Sequence, residues 1–229
     1  MRRFMLVHSV DPTTHFLQAI PDFLGGRLHR PWDHITLTQP GAEEAARQKI
    51  QQAAPGTTII FLGHGASYCI YGPPAKEGVR GSPLLDDQHF SLLQGKNFVS
   101  LSCRSSEFIS RNFKEKGGSA MLGFDDLPTH WADVEAEREV NWKAYPKIDG
   151  EVLERYRTLL VKVFKMALAD ALSQFMNFEQ FYTRLRYYIN KELNTLCAQI
   201  ATPQILLLEN MLFDLKKGIL LKGERQIEL

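Results

Sequence analysis

The sequence predicts an α/β fold: a mostly parallel central sheet, covered by helices on both faces, with further helices added toward the C-terminus. Three observations carry this. Short runs of aliphatic, β-branched and aromatic residues, bounded by Gly, Asn and Pro, recur through the first half of the chain and read as buried strands. Helical segments alternate with them, as parallel pairing requires, because each connection must cross over the sheet. After about residue 130 the pattern changes to long amphipathic helices. A length of 229 residues suits one domain, 1–229, in which 130–200 is the helical C-terminal portion.

Residues 4–9 (Phe4 to Ser9) read as the first strand. The Gly25-Gly26 break leads to a second strand at 34–38. Residues 41–53 form an Ala-rich polar helix, with Glu43 and Glu44 in the first turn, where the helix dipole favours carboxylates. The run Thr57-Thr58-Ile59-Ile60-Phe61-Leu62 is the next strand, and it ends in Gly63-His64-Gly65. Residues 66–83, with Gly72-Pro73-Pro74, read as a loop of the kind that carries substrate contacts. A helix is expected at 86–93. The strand Asn97-Phe98-Val99-Ser100-Leu101-Ser102 follows and ends in Cys103-Arg104. A helix from 104 to 116, halted by Gly117-Gly118, precedes a strand at 119–124. Further on, 132–145 is charged and helical. Residues 151–175 place Leu153, Tyr156, Leu160, Phe164 and Leu168 on one helical face, and 178–196 forms a second such helix. The break at Thr202-Pro203-Gln204 introduces an extended apolar run, 205–208. The tail, 211–229, reads as a hairpin about Lys216-Lys217-Gly218.

Composition narrows the function classes. A hydrophobic share of 44% with 23% charged residues is that of a soluble globular chain, and a formal net charge of +1 gives no reason to expect a nucleic-acid partner. No apolar stretch reaches the length of a membrane span. The N-terminus is basic and then apolar but lacks a full apolar core and a small-residue cleavage site, so it reads as a strand and not a signal peptide. The cysteines, Cys69, Cys103 and Cys197, are odd in number and include no CxxC pair. That argues against a disulfide framework or a zinc site and fits a reducing, cytoplasmic setting, with no metal and no cofactor expected.

His64 and Cys103 stand alike, each just past the end of an apolar strand. Chemistry in an open parallel sheet collects at the carboxyl ends of the strands. If the two strands are neighbours, an imidazole and a thiol meet there, the minimum for a cysteine nucleophile with a general base. The bland alternative is a buried cysteine acting as a small hydrophobe and a histidine satisfied by a turn carbonyl. A helix starting at 104 sets Cys103 at a positive dipole end, which favours the thiolate, and Arg104 adds a cation.

These residues resemble the caspase-like cysteine proteases, most closely the bacterial caspase-like family named CHAT. The resemblance rests on Phe61-Leu62-Gly63-His64-Gly65, with Gly72 beyond, and on the segment from Leu93 to Arg104. His precedes Cys by 39 residues, 64 to 103, against roughly 50 for caspases. Ser102-Cys103-Arg104-Ser105 lacks the Gly of the caspase nucleophile signature, which favours the looser bacterial relatives. Weaker matches at 117–126 and 164–185 extend the similarity over roughly residues 55–200. It implies a three-layer caspase-like fold and a cysteine endopeptidase. His64 and Cys103 would be its dyad, needing no third member, and the backbone N–H groups of Gly65 and Cys103 its oxyanion hole. Asp11, Ser102, Asp125 and Asp126 correspond to the substrate pocket, and carboxylates there would favour Arg or Lys before the scissile bond. The family's habits further imply a defence or cell-death effector, switched on by a separate sensor protein and acting on protein or peptide substrates.

His89 and His130 are rival bases, though neither follows a strand. Cys69 and Cys197 read as structural, Cys69 with some chance of exposure in its loop. The segment 125–149 is the expected mobile and processed loop. There is no G-x-S-x-G elbow, P-loop or dinucleotide fingerprint. A caspase-fold binding or scaffold module without proteolysis is the alternative to the enzyme.

Overall fold

Burial of the central strands on both faces decides the architecture. The computed structural model describes residues 4–28, 31–75, 81–116, 118–131, 134–135 and 148–229. In chain order the strands are β1 (Phe4–Ser9), β2 (Asp33–Leu37), β3 (Thr58–Leu62), β4 (Gly65–Ala66), β5 (Cys69–Tyr71), β6 (Pro83–Asp86), β7 (Asn97–Leu101), β8 (Ala120–Gly123) and β9 (Leu220–Gly223). The helices are α1 (Ala19–Gly25), α2 (Ala42–Gln52), α3 (Ser105–Lys116), α4 (Gly150–Ser173), α5 (Phe178–Cys197) and α6 (Pro203–Lys217). Short 3₁₀ turns lie at His15–Gln18 and Phe90–Leu93.

The main sheet has six strands in the order β2-β1-β3-β7-β8-β9, parallel except for β9, which runs antiparallel to β8. The fold is therefore α/β with a mostly parallel sheet. Strands β1, β3 and β7 are buried throughout, as strands covered on both faces must be. Their side chains divide by the two-residue period. Phe4, Leu6, Ile60, Leu62, Val99 and Leu101 share one core with α1, α4, α5 and α6. Met5, Val7, Ile59, Phe61 and Phe98 share the other with α2 and α3. Helices thus lie on both sides of the sheet.

The C-terminal helices are set by their own end signals. Asp149 caps α4 by accepting from Val152 N at 2.8 Å. Asn177 and Gln180 form a reciprocal capping box at the start of α5. Phe164 on α4 meets Phe124, just past β8, and Phe181 on α5, with ring centroids 6.0 and 6.3 Å apart. That aromatic stack ties the helical portion to the sheet.

The tail departs from expectation. Residues 205–208 are not extended, and 211–229 is no hairpin about Gly218. Pro203 opens α6, Thr202 accepts from Ile205 N, and Ile205, Leu208, Met211, Leu212 and Leu215 bury at helical spacing. Four consecutive aliphatics suit a strand or a helix equally, and the Thr-Pro start signal decides for the helix. The expected loop 66–83 contains the end of β4, all of β5 and the start of β6, strands that form a small antiparallel sheet. The expected helix at 86–93 is only the 3₁₀ turn Phe90–Leu93. The short helix α1 is an element that the sequence reading did not include. The charged helix at 132–145 lies, apart from Val134 and Glu135, outside the described residues, as does most of 125–149.

Replacing Phe164 with Ala should lower the unfolding free energy by about 3–5 kcal/mol, the usual range for emptying a fully buried aromatic site. Urea titration of the variant against wild type measures this. A loss under about 1 kcal/mol would mean that the stack does not couple the helices to the sheet.

Candidate active site

Parallel pairing puts the two candidate residues level. In the β3–β7 ladder Leu62 stands opposite Leu101, so His64 and Cys103 each lie two residues beyond a paired position. They line one small cavity at the carboxyl edge, with Phe16, Leu17, Leu127, Thr129 and Leu160. Its free volume is about 20 Å³, room for roughly one water.

The turn after β7 is tightly stitched. Arg104 takes the left-handed conformation at φ 55°, a cost of about 1–3 kcal/mol for a non-glycine residue. Ser105 Oγ accepts from Phe124 N and donates to Ser102 O, both at 2.9 Å, joining the turn to the end of β8. A Cβ on Gly123 would come within 2.9 Å of the Ser105 and Ser106 backbone, so only glycine lets α3 sit this close to β8. The first turn of α3 does not leave its N–H groups open to the thiol. Arg104 N donates to Asp125 O and Ser106 N to Phe124 O. What α3 contributes at Cys103 is its field and not a direct hydrogen bond from those two groups.

Gly65 lies hard against this turn. A Cβ there would fall 2.6 Å from both Cys103 O and Ser102 Oγ. Gly65 pairs with Ile70, between the bonded positions His64–Tyr71 and Ala66–Cys69, so its N–H is directed away from β5. The His64 loop and the Cys103 turn are thus in backbone contact.

Asp11 and its turn hold His64. Asp11 follows β1 in Asp-Pro-Thr-Thr, a sequence suited to an Asx turn. Its Oδ1 accepts from Thr13 N (2.7 Å), Thr14 N (3.1 Å) and Thr13 Oγ1 (2.6 Å). Its Oδ2 lies 3.1 Å from His64 Nε2 as an ion-pair contact and has no hydrogen-bond partner among the described residues. Thr13 Oγ1 lies 2.7 Å from the same nitrogen. Burial pushes the Asp11 carboxyl up, but bonding to His64 and Thr13 outweighs it and holds the group well below the usual carboxylate range. Beneath this turn His8 is fully buried between Gln18 and the Thr14 carbonyl, and burial holds its pKa below the ordinary value.

Cys103 is partly buried, and its sulfur is engaged. Sγ donates to Leu127 O at 3.0 Å and receives Leu127 N–H at 3.3 Å. Arg157 of α4 reaches the same segment, with Nε donating to Thr129 O at 2.5 Å. Arg104 is drawn to Asp126, at 2.9 Å, and to Glu107.

Of the four residues expected to form a substrate pocket, Ser102 lines the same cavity as His64 and Cys103 and Asp11 touches His64, while Asp125 and Asp126 do not line that cavity. Asp11 is buried against His64, not open as a pocket carboxylate. Ser102 is buried and bonded to Ser100 Oγ at 2.8 Å. Asp126 pairs with Arg104, and Asp125 is exposed, its backbone bonded to Arg104 and Gly218. A free carboxylate cluster recognising Arg or Lys is therefore absent among these four positions. His89 is held by Asp86 at 2.7 Å, and neither it nor His130 lines the cavity. Cys69 is buried with Ala66 and Tyr71, not exposed in a loop, whereas Cys197 at the end of α5 is exposed. Thr13 and His8 are the residues missed by sequence reasoning. The Asp-Pro-Thr-Thr turn signal after a strand could have flagged Thr13; a histidine inside an apolar strand gives no such signal.

Among the described residues no group of three or more His, Cys, Asp or Glu is placed to hold a metal ion, and no helix is long and apolar enough to cross a membrane. No protein-family model matches the chain, and no curated protein matches it. What the arrangement offers chemically is a thiol, an imidazole anchored by a carboxylate, and backbone N–H groups beside them.

The depressed Asp11 carboxyl fixes a pH dependence. Because the folded state favours the charged form, its contribution is fully present above the unfolded value near 3.8 and is lost as pH falls below it. Asp11→Asn should therefore be less stable than wild type at pH about 6, with the gap narrowing below pH about 4. Urea unfolding across that range checks this, and a gap that does not change with pH would remove the carboxylate's role.

Proposed function

We propose that this chain is a cysteine endopeptidase of the caspase-like kind, with Cys103 as nucleophile and His64 as base and then acid. The observation that carries the reading is the level placement of His64 and Cys103 at the carboxyl ends of adjacent parallel strands, lining one cavity. His64 takes the thiol proton, and the sulfur attacks the peptide carbonyl carbon. The oxyanion develops toward backbone N–H groups at Gly65 and Cys103. The C–N bond breaks as His64 returns the proton to the amine. Water then hydrolyses the thioester, with His64 as base. The mostly parallel sheet and added C-terminal helices agree with the fold that the resemblance implies.

Control by a separate protein belongs to the proposal. The Leu127–Thr129 segment occupies both hydrogen-bonding directions of the sulfur and leaves space for about one water, not a peptide. A sensor partner would act by drawing that segment away, as suits a defence or cell-death effector. Three cysteines outside any disulfide suit a reducing cytoplasm. The same closure favours the second reading, a scaffold without proteolysis. A thiol-reactive peptide probe separates them, labelling Cys103 in a working site and leaving a dead scaffold unmarked.

The decisive test incubates wild type and Cys103→Ala with a broad peptide library, each with and without cell lysate. Cleavage by wild type that disappears in the variant supports the protease, and a need for lysate supports the partner. No Cys103-dependent cleavage under either condition would leave the scaffold. A second expectation concerns the latch. Losing one charge-assisted hydrogen bond, about 1.5–3 kcal/mol, should loosen the segment. Arg157→Ala should then raise the rate of Cys103 alkylation about tenfold or more, with Cys197→Ser as background; an unchanged rate would mean that Arg157 does not hold the site shut.

A further inference from the structure

We infer that Asp11 and Thr13 are positioning residues that hold the His64 ring with its proton on Nε2, leaving Nδ1 as the nitrogen that serves Cys103. The inference rests on the endopeptidase reading for the role of Nδ1, but the placement of the proton stands on geometry alone. Thr13 has one hydroxyl hydrogen. At 2.6 Å from a carboxylate oxygen, that hydrogen belongs to the Asp11 Oδ1 contact, because an ionised carboxylate has nothing to donate. Thr13 Oγ1 then faces His64 with a lone pair at 2.7 Å, and Asp11 Oδ2 faces the same nitrogen at 3.1 Å. Thr13 Oγ1 can only accept from Nε2, so Nε2 carries a hydrogen, and the negative charge of Oδ2 beside it favours the same placement. In the neutral ring Nδ1 is then the acceptor, free to take the thiol proton.

The Asx turn makes this hold rigid. Oδ1 is fixed by three donors from Thr13 and Thr14, and Asp11 N donates to Thr14 Oγ1 at 3.0 Å, while Thr14 Oγ1 donates to Ser9 O. The carboxylate cannot rotate without giving up those bonds, so Oδ2 stays beside the ring. The arrangement adds a third and a fourth side chain to a site that the resemblance treats as a dyad.

The same geometry specifies the test. In Asp11→Asn the three donors keep the amide oxygen at the Oδ1 position, which sets the amide nitrogen where Oδ2 stands. That nitrogen sets a donor beside Nε2 in place of an anionic oxygen, against the single Thr13 lone pair, and shifts the ring proton toward Nδ1. Nitrogen-15 spectra of the imidazole, taken near pH about 8 and assigned against His64→Gln, read the tautomer directly. Wild type should show a protonated Nε2 and an unprotonated Nδ1, and Asp11→Asn the reverse. Cys103-dependent cleavage should fall about 10³-fold or more in Asp11→Asn, as expected when a base holds its proton on the wrong nitrogen. Thr13→Val should reduce it about tenfold, and Thr13→Ser should restore it to within about threefold of wild type. A wild-type spectrum with the proton on Nδ1 overturns the inference whatever the activity. A proton on Nε2 that reverses in Asp11→Asn sustains it even where no cleavage is found, in which case the endopeptidase reading is what falls.

Discussion

The parallel register of β3 against β7 is the constraint on which the rest depends. Opposing Leu62 and Leu101 leaves the two chains leaving the sheet at the same height, so residues 64 and 103 emerge side by side. A shift of one residue would move every side chain on one strand to the other face and break both apolar layers at once. Ile60 and Leu62 need the α4–α5 core, and Ile59 and Phe61 need the α2–α3 core. Burial on both faces therefore pins the site to a resolution that loops alone would not reach.

Around that level the backbone closes tightly and the side chains follow. Gly65 and Gly123 permit contacts that no Cβ would survive, one against the Cys103 turn and one against the start of α3. Arg104 holds a strained conformation at the turn itself. Strain of this size persists only where its surroundings leave no alternative, and Ser105 supplies those surroundings by bonding to both β7 and β8. The Asx turn after β1 performs the corresponding task for His64. The site is thus assembled from three strand ends, β1, β3 and β7, which are adjacent in the sheet and far apart in the sequence.

The reading from residues alone succeeded where a signal was strong and local. Strands β1, β3, β7 and β8 and helices α2 to α5 have either unbroken apolar runs or end signals with a physical cause, such as the Asn177–Gln180 box. It failed where the local signal was ambiguous. Ile205 to Leu208 fits two periods equally, and burial of one face against α5 settles the matter in favour of α6. The small sheet of β4, β5 and β6 escaped notice because its strands have two to four residues and sit among glycines and prolines. Asp11 was placed on the right edge, but its contact with His64 was not legible. A carboxylate after a strand carries no mark of whether it faces solvent, a ligand or a histidine.

The sequence by itself determined the fold class, the order of most strands and helices along the chain, and the two residues worth testing as a catalytic pair. These follow from periodicity and from chemistry written within a few residues. Tertiary structure alone decided the strand order, the common level of His64 and Cys103, the capture of Nε2 by Asp11 and Thr13, and the seating of Leu127 on the sulfur. Each of these depends on groups separated by 23 positions or more. Distances across such gaps are set by how two apolar faces pack, and no local pattern encodes them.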